Sequence, residues 1–295
     1  MITNVWEDET VGFDFGVDSF IWSENFGRKD LHLFQRARDI GFTSFDVLIS
    51  HPDGFPVDEV RKAAEDAGIR LVTSCVLNAE ANPLNPDPKV RCAAVEFLKR
   101  IVDINLGVGS KVTGGVNYAA WGYLTGRPRT DDEWNWSVEA LRQVAEYAKS
   151  TGDTVLAFEP VNRFETHFLN IAADAVQYCK DIGLDNCGVH LDTFHMIREE
   201  TSFSEAVKTC GKQYLKDVHV CENNRGIPGT GLVPWREFFT AVKTIEYDGP
   251  LTIESFDPDF EEVNRLCAIW RRFAESGEQL ATEGLENLKA IAATV

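Results

Sequence analysis

Eight short apolar segments alternate with helix-length amphipathic patterns along the 295 residues, and no linker-like shift of composition interrupts them. The apolar segments fall at residues 12–22, 44–49, 70–77, 111–115, 154–159, 187–192, 215–221 and 251–256. Helical patterns lie between them at 30–40, 57–66, 90–106, 137–150, 172–181, 203–209 and 235–245. Gly41, Gly68, Gly107, Gly152 and Gly183 follow several of these patterns, where a left-handed helix cap would use them. Parallel strands need a crossover helix at every step, so eight such units predict one closed (β/α)8 barrel. The barrel is expected to occupy residues 1–295 as one domain, with a short N-terminal extension and a terminal helix from Ser276. A doubly wound open sheet would more often carry an early glycine fingerprint. Here Ser23-Glu24-Asn25-Phe26 follows the first strand instead.

Charge narrows the range of partners. A net charge of −18 opposes binding to nucleic acid or anionic membranes, which need a basic footprint. No apolar run is long enough to span a bilayer. The first charged residues are acidic and no secretory apolar core follows them, so a cytoplasmic location is expected. Seven cysteines form no CxxC pair, which speaks against structural zinc and a disulfide framework.

Glu159, Asp192, His219 and Glu254 each stand near the end of an apolar segment, about 30 residues apart, the length of one β-α unit. In a parallel barrel that spacing carries all four to the same rim. Carboxylates crowded there repel one another unless a cation joins them or arginines pair with them. An oxygen-rich set with one imidazole favours Mn²⁺, Mg²⁺ or Co²⁺ over tetrahedral zinc. A metal bridging a carbonyl and the neighbouring hydroxyl would acidify the C–H between them. Glu159 and Glu254, reaching in from separated strands, would then serve opposite faces of a ketose, one removing the C3 proton and the other returning one.

Other residues near these four could grip a substrate. Glu165, His195 and Arg225 follow Glu159, Asp192 and His219 closely and could hold oxygens at C1 and C2. Each also has a structural alternative: a salt bridge to Arg163 for Glu165, a supporting role for His195, and neutralisation of the acidic site for Arg225. Trp22, Phe20, Trp121 and Phe256 could wall the far end of a sugar, or simply be core. Residues 117–136 concentrate Tyr118, Trp121, Tyr123, Trp134 and Trp136, which suits either a wall over the pocket or a subunit contact. The loop 225–231 has one basic residue and lacks a P-loop setting, so it gives little sign of a sugar phosphate.

These segments resemble the D-tagatose 3-epimerase / D-allulose (D-psicose) 3-epimerase / L-ribulose 3-epimerase family of xylose-isomerase-like TIM barrels. The resemblance rests on residues 158–166 (FEPVNRFET), 191–196 (LDTFHM), 219–226 (HVCENNRG) and 253–256 (IESF). It implies that Glu159, Asp192, His219 and Glu254 bind a divalent metal, usually Mn²⁺. It also implies that Glu159 and Glu254 epimerise C3 through a cis-enediolate, and that Glu165, His195 and Arg225 contact the ketose near its carbonyl. Family members act on free ketoses, mostly as homodimers or homotetramers. Asp18 and Asp46 depart from the family's usual residues, a polar residue and a glutamate respectively, as does the aromatic 117–136 loop.

Three other readings compete. An aldose–ketose or hydroxypyruvate-type isomerase on the same barrel would move the proton between C1 and C2. A hydrolytic metal barrel of the DNA-repair kind would want more than six histidines and a basic groove. A non-catalytic sugar binder would retain ketoses without exchanging the C3 proton.

Overall fold

The computed structural model describes residues 12–295. Eight parallel strands close into a barrel in sequence order. They are β1 (Asp14–Asp18), β2 (Ser44–Leu48), β3 (Arg70–Ser74), β4 (Val112–Gly114), β5 (Val155–Phe158), β6 (Cys187–Asp192), β7 (Leu215–His219) and β8 (Pro250–Ile253). β8 closes the ring against β1, with Leu251 opposite Phe15. The expected N-terminal extension lies outside the described residues.

Helices α1 (His32–Ile40), α2 (Val57–Ala67), α3 (Pro88–Gly107), α4 (Asp131–Thr151) and α5 (Ala172–Ile182) wrap the first part of the barrel. Helices α6 (Thr193–Glu199), α7 (Phe203–Tyr214), α8 (Trp235–Thr244), α9 (Glu261–Cys267) and α10 (Gly277–Ala292) complete it. Local chemistry sets several starts. Asp87 caps α3 ahead of Pro88, Ser202 caps α7 and Ser276 caps α10. Gly41, Gly68 and Gly183 end their helices in the left-handed conformation. Gly107 instead falls inside the last turn of α3, and Gly152 ends α4 with extended backbone.

Two sequence expectations need correction. α4 begins at Asp131 and not at residue 137, because Thr130 and Glu133 form a reciprocal capping box. Trp134 and Trp136 are therefore helical residues. The first strand stops at Asp18, whose carboxylate accepts from the Phe20 N–H and opens a short 3₁₀ turn.

Strand periodicity of two sorts the side chains into an outer apolar layer and a polar interior. Phe45 of β2 packs edge-on to Phe34 of α1, with centroids 5.0 Å apart, and Phe158 of β5 meets Tyr178 of α5 at 4.9 Å. The alternate positions Asp18, Asp46, His190 and Asp217 are buried with no measurable exposure. Gly114 makes room for this interior layer: a Cβ there would sit 2.8 Å from both Asp217 Oδ2 and His190 Nδ1. Register then fixes the rim, pairing Asp192 with His219 and His219 with Thr252, so that Glu254 stands two residues further along β8's direction. Among the described residues, no helix is long and apolar enough to cross a membrane.

Candidate functional site

The barrel brings Glu159, Asp192, His219 and Glu254 to the C-terminal ends of β5, β6, β7 and β8, all of them buried. They meet as overlapping threesomes and not as one closed quartet. Asp18–His219–Glu254, Glu159–His190–His219, Glu159–Asp192–His195 and Asp192–Cys221–Glu254 each place three ligand atoms within 4.8 Å. Arg225 Nη1 donates to Asp192 Oδ2 at 2.8 Å and to Glu254 Oε2 at 2.5 Å. Its guanidinium is clasped between Phe194 and Phe256, 4.0 and 5.1 Å from the ring centroids.

His219 is oriented from across the barrel. Its Nε2 lies 3.1 Å from Asp46 Oδ2, and Asp46 Oδ1 accepts from the Ser74 hydroxyl at 3.0 Å. Nδ1 faces Glu254 Oε2 at 3.3 Å yet makes no hydrogen bond. Burial opposes charging of this ring, but Glu254 and Asp46 outweigh it and raise the imidazole well above its usual range. A cation at Nδ1 would take the place of that proton, in the carboxylate–histidine–metal arrangement common to such centres. The buried oxygen-rich donors and this unspent imidazole nitrogen fit a hard divalent cation.

Electrostatics separate the two glutamates. Burial, then the Glu254 charge, push Glu159 well above the usual carboxylate range. Burial alone would raise Glu254 as well, but Arg225 and His219 overcome it and hold that carboxyl far below. Before any cation is counted, one group is thus biased to keep a proton and the other to lose it. His195 is pushed well below its usual range by burial and then by Arg225, so its ring is neutral. Its Nδ1 accepts from the Asn162 backbone N–H at 3.1 Å, which places the proton on Nε2, 3.6 Å from Glu159 Oε1.

One cavity gathers most of the candidate residues. Glu159, Glu165, His195, His219, Arg225 and Glu254 give it a polar side, and Phe20, Leu48, Val76, Trp121 and Phe256 an apolar one. Asp192 is 1% exposed, paired with Arg225. Glu165 is held by Trp121 Nε1 at 2.8 Å and Asn162 Nδ2 at 2.7 Å. Arg163, the sequence-based partner for Glu165, pairs with Glu199 instead. Trp22 does not line this cavity. The turn after β1 sends it outward, to stack on Phe45 (6.3 Å, 18°) with Arg36 5.4 Å from its ring, while Phe20 takes the inner place.

The aromatic segment divides by position. Tyr118 is buried, donates to the Glu159 carbonyl at 2.8 Å and so braces that residue's backbone. Trp134 packs on Phe168 and Tyr178, and Trp136 lies 4.8 Å beneath the Arg91 guanidinium. Sequence reasoning did not place His190, Asp217 and Asp46 in the site. The signal for the first two was periodicity, since each precedes a rim residue by two positions on its strand.

Comparison with known proteins sets this geometry in context. A family model described as a xylose isomerase-like TIM barrel matches residues 34–291. The L-ribulose 3-epimerase of Mesorhizobium japonicum is 33% identical over 270 residues, covering 90% of each chain. The D-psicose 3-epimerase of Agrobacterium fabrum is 32% identical over 255 residues, 85% of this chain and 86% of that one. A solved structure of an L-ribulose 3-epimerase superposes with a TM-score of 0.90 at 31% identity, over 96% of this chain and 95% of that one.

Proposed function

The chain belongs to the ketose 3-epimerases of the xylose-isomerase-like TIM-barrel family, and on that premise we propose that it inverts C3 of a free ketose, with Mn²⁺ as the foremost cofactor. Co²⁺ and Mg²⁺ suit the same donors. Glu159, Asp192, His219 and Glu254 hold the ion. When bound, it polarises the ketone and offsets the charge that develops as C3 loses its proton.

Glu159 and Glu254 act on the two faces of the substrate. The observation that carries this reading is geometric: they stand at the ends of separated strands, β5 and β8, and both line one cavity. In one direction the ionised Glu254 accepts the C3 proton and the protonated Glu159 delivers one to the other face through a cis-enediolate. The reverse direction exchanges the roles. The neutral His195 offers its Nε2 proton, and Arg225 its guanidinium, to oxygens near the carbonyl, while Glu165 accepts from a substrate hydroxyl. Trp121 and Phe256 cover the apolar edge of the chain. Candidate pairs are D-tagatose/D-sorbose, D-fructose/D-allulose and L-ribulose/L-xylulose, and the assembly is a homodimer or homotetramer.

Incubating these ketoses with Mn²⁺-loaded protein in D₂O tests the reading. Deuterium at C3, with the ketone retained at C2, is expected. An aldose product carrying deuterium at C2, with recovered ketose labelled at C1, would overturn it in favour of an aldose–ketose isomerase.

A further inference from the structure

A second cavity, of about 270 Å³, adjoins the catalytic one and shares Phe20, Leu48, Val76 and Trp121 with it. Its position follows from the barrel's order. The four candidate ligands stand at the ends of β5 to β8, whereas the shared residues stand at or just beyond the ends of β1 to β4, so the chamber joins the catalytic cavity on the side away from the ligands. Polar groups surround the chamber beyond that apolar neck. Asn25 and His51, both exposed, and half-buried Ser50 form no side-chain hydrogen bond among the described residues, and half-buried Glu24 receives only the Val263 N–H, at 3.4 Å. Val263 and Leu266 of α9 form another wall. No lysine or arginine lines it, so a phosphate there would find no counter-charge. Neutral hydroxyls would find both donors and acceptors, with the Trp121 and Phe20 rings against their C–H faces.

We propose that this chamber receives a neutral sugar unit attached at the C6 end of the ketose, so that the protein epimerises O6-glycosylated ketoses as well as simple ones. The inference rests on the epimerase reading above. The chemistry is unchanged: C3 loses a proton to one carboxylate and gains one from the other, and no bond to the appended sugar forms or breaks.

Isomaltulose, a glucose joined through O6 of fructose, is the probe. Its kcat/KM is expected to lie within about tenfold of that for D-fructose. Turnover of D-fructose with isomaltulose slower by roughly a thousandfold or more would overturn the proposal and leave the epimerase reading standing. Ala79 lines the chamber and not the catalytic cavity, so Ala79→Trp should lower the isomaltulose-to-L-ribulose ratio of kcat/KM by about tenfold or more. His51→Ala, which adds no bulk, should lower the same ratio by roughly threefold to tenfold. An unchanged ratio in both variants would overturn the chamber's role. Should no ketose turn over, the epimerase reading falls. Calorimetry then decides the chamber alone, tighter binding of isomaltulose than of D-fructose supporting it and absent binding overturning it.

Discussion

β5 to β8 end in Glu159, Asp192, His219 and Glu254, whereas β1 to β4 lead into Phe20, Leu48, Val76 and Trp121. On the first half Asp192, His219 and Glu254 are held by charged partners, and Arg225 joins two of the carboxylates. On the second half the wall is held mainly by packing, which reaches across to the other half in the Phe20–Phe256 contact at 5.1 Å, with Trp121 also hydrogen-bonded to Glu165. The contrast holds only at the rim. One layer down, β1 and β2 supply Asp18 and Asp46, and Asp46 reaches His219 from the apolar side. A chemically active half therefore depends on a carboxylate from the half that looks inert.

The comparison can be broken most sharply at Glu254. Glu254→Gln keeps the volume and removes the proposed base, and should lower kcat by about 10²–10⁴-fold with an unchanged circular dichroism spectrum. A variant turning over at the wild-type rate would end the two-carboxylate mechanism. Asp46→Asn tests the dependence across the barrel. Mn²⁺ affinity, read by calorimetry, should weaken about 10- to 100-fold, with partial recovery in Asp46→Glu. Unaltered affinity would reduce Asp46 to a bystander. Trp121→Phe removes the indole donor from Glu165 while preserving an aromatic wall. The lost bond is worth about 1 kcal/mol, so kcat/KM should fall roughly fivefold. Val76→Ala touches the wall alone. It should raise KM for a hexulose by about threefold and leave Mn²⁺ affinity as it was. A change in affinity there would mean the two halves are coupled more widely than through Asp46.

The barrel was legible because each strand is a short apolar run closed by a turn or cap, as in residues 187–192, where sequence reading and structure agree. The four rim residues were legible for a related reason, since strand ends recur at the β-α interval. The start of α4 was written in the Thr130/Glu133 box but masked by the tryptophans that follow, which resemble a loop when counted without their cap. Trp22 takes the core alternative, because its direction depends on the turn after Asp18, a feature set by one side-chain hydrogen bond. Asp46 was visible as an unusual residue, but its partner lies 173 positions away, beyond any local pattern.

Arg225 gives the site a resident positive charge. Its backbone is left-handed (φ 61°), and its guanidinium already spans the carboxylates of Asp192 and Glu254. Mutual repulsion between those acids is thus relieved by a side chain of the fold itself. The barrel is expected to close first and acquire its metal afterwards. Dialysis against a chelator should then yield a folded, reloadable protein whose metal content reflects its storage medium.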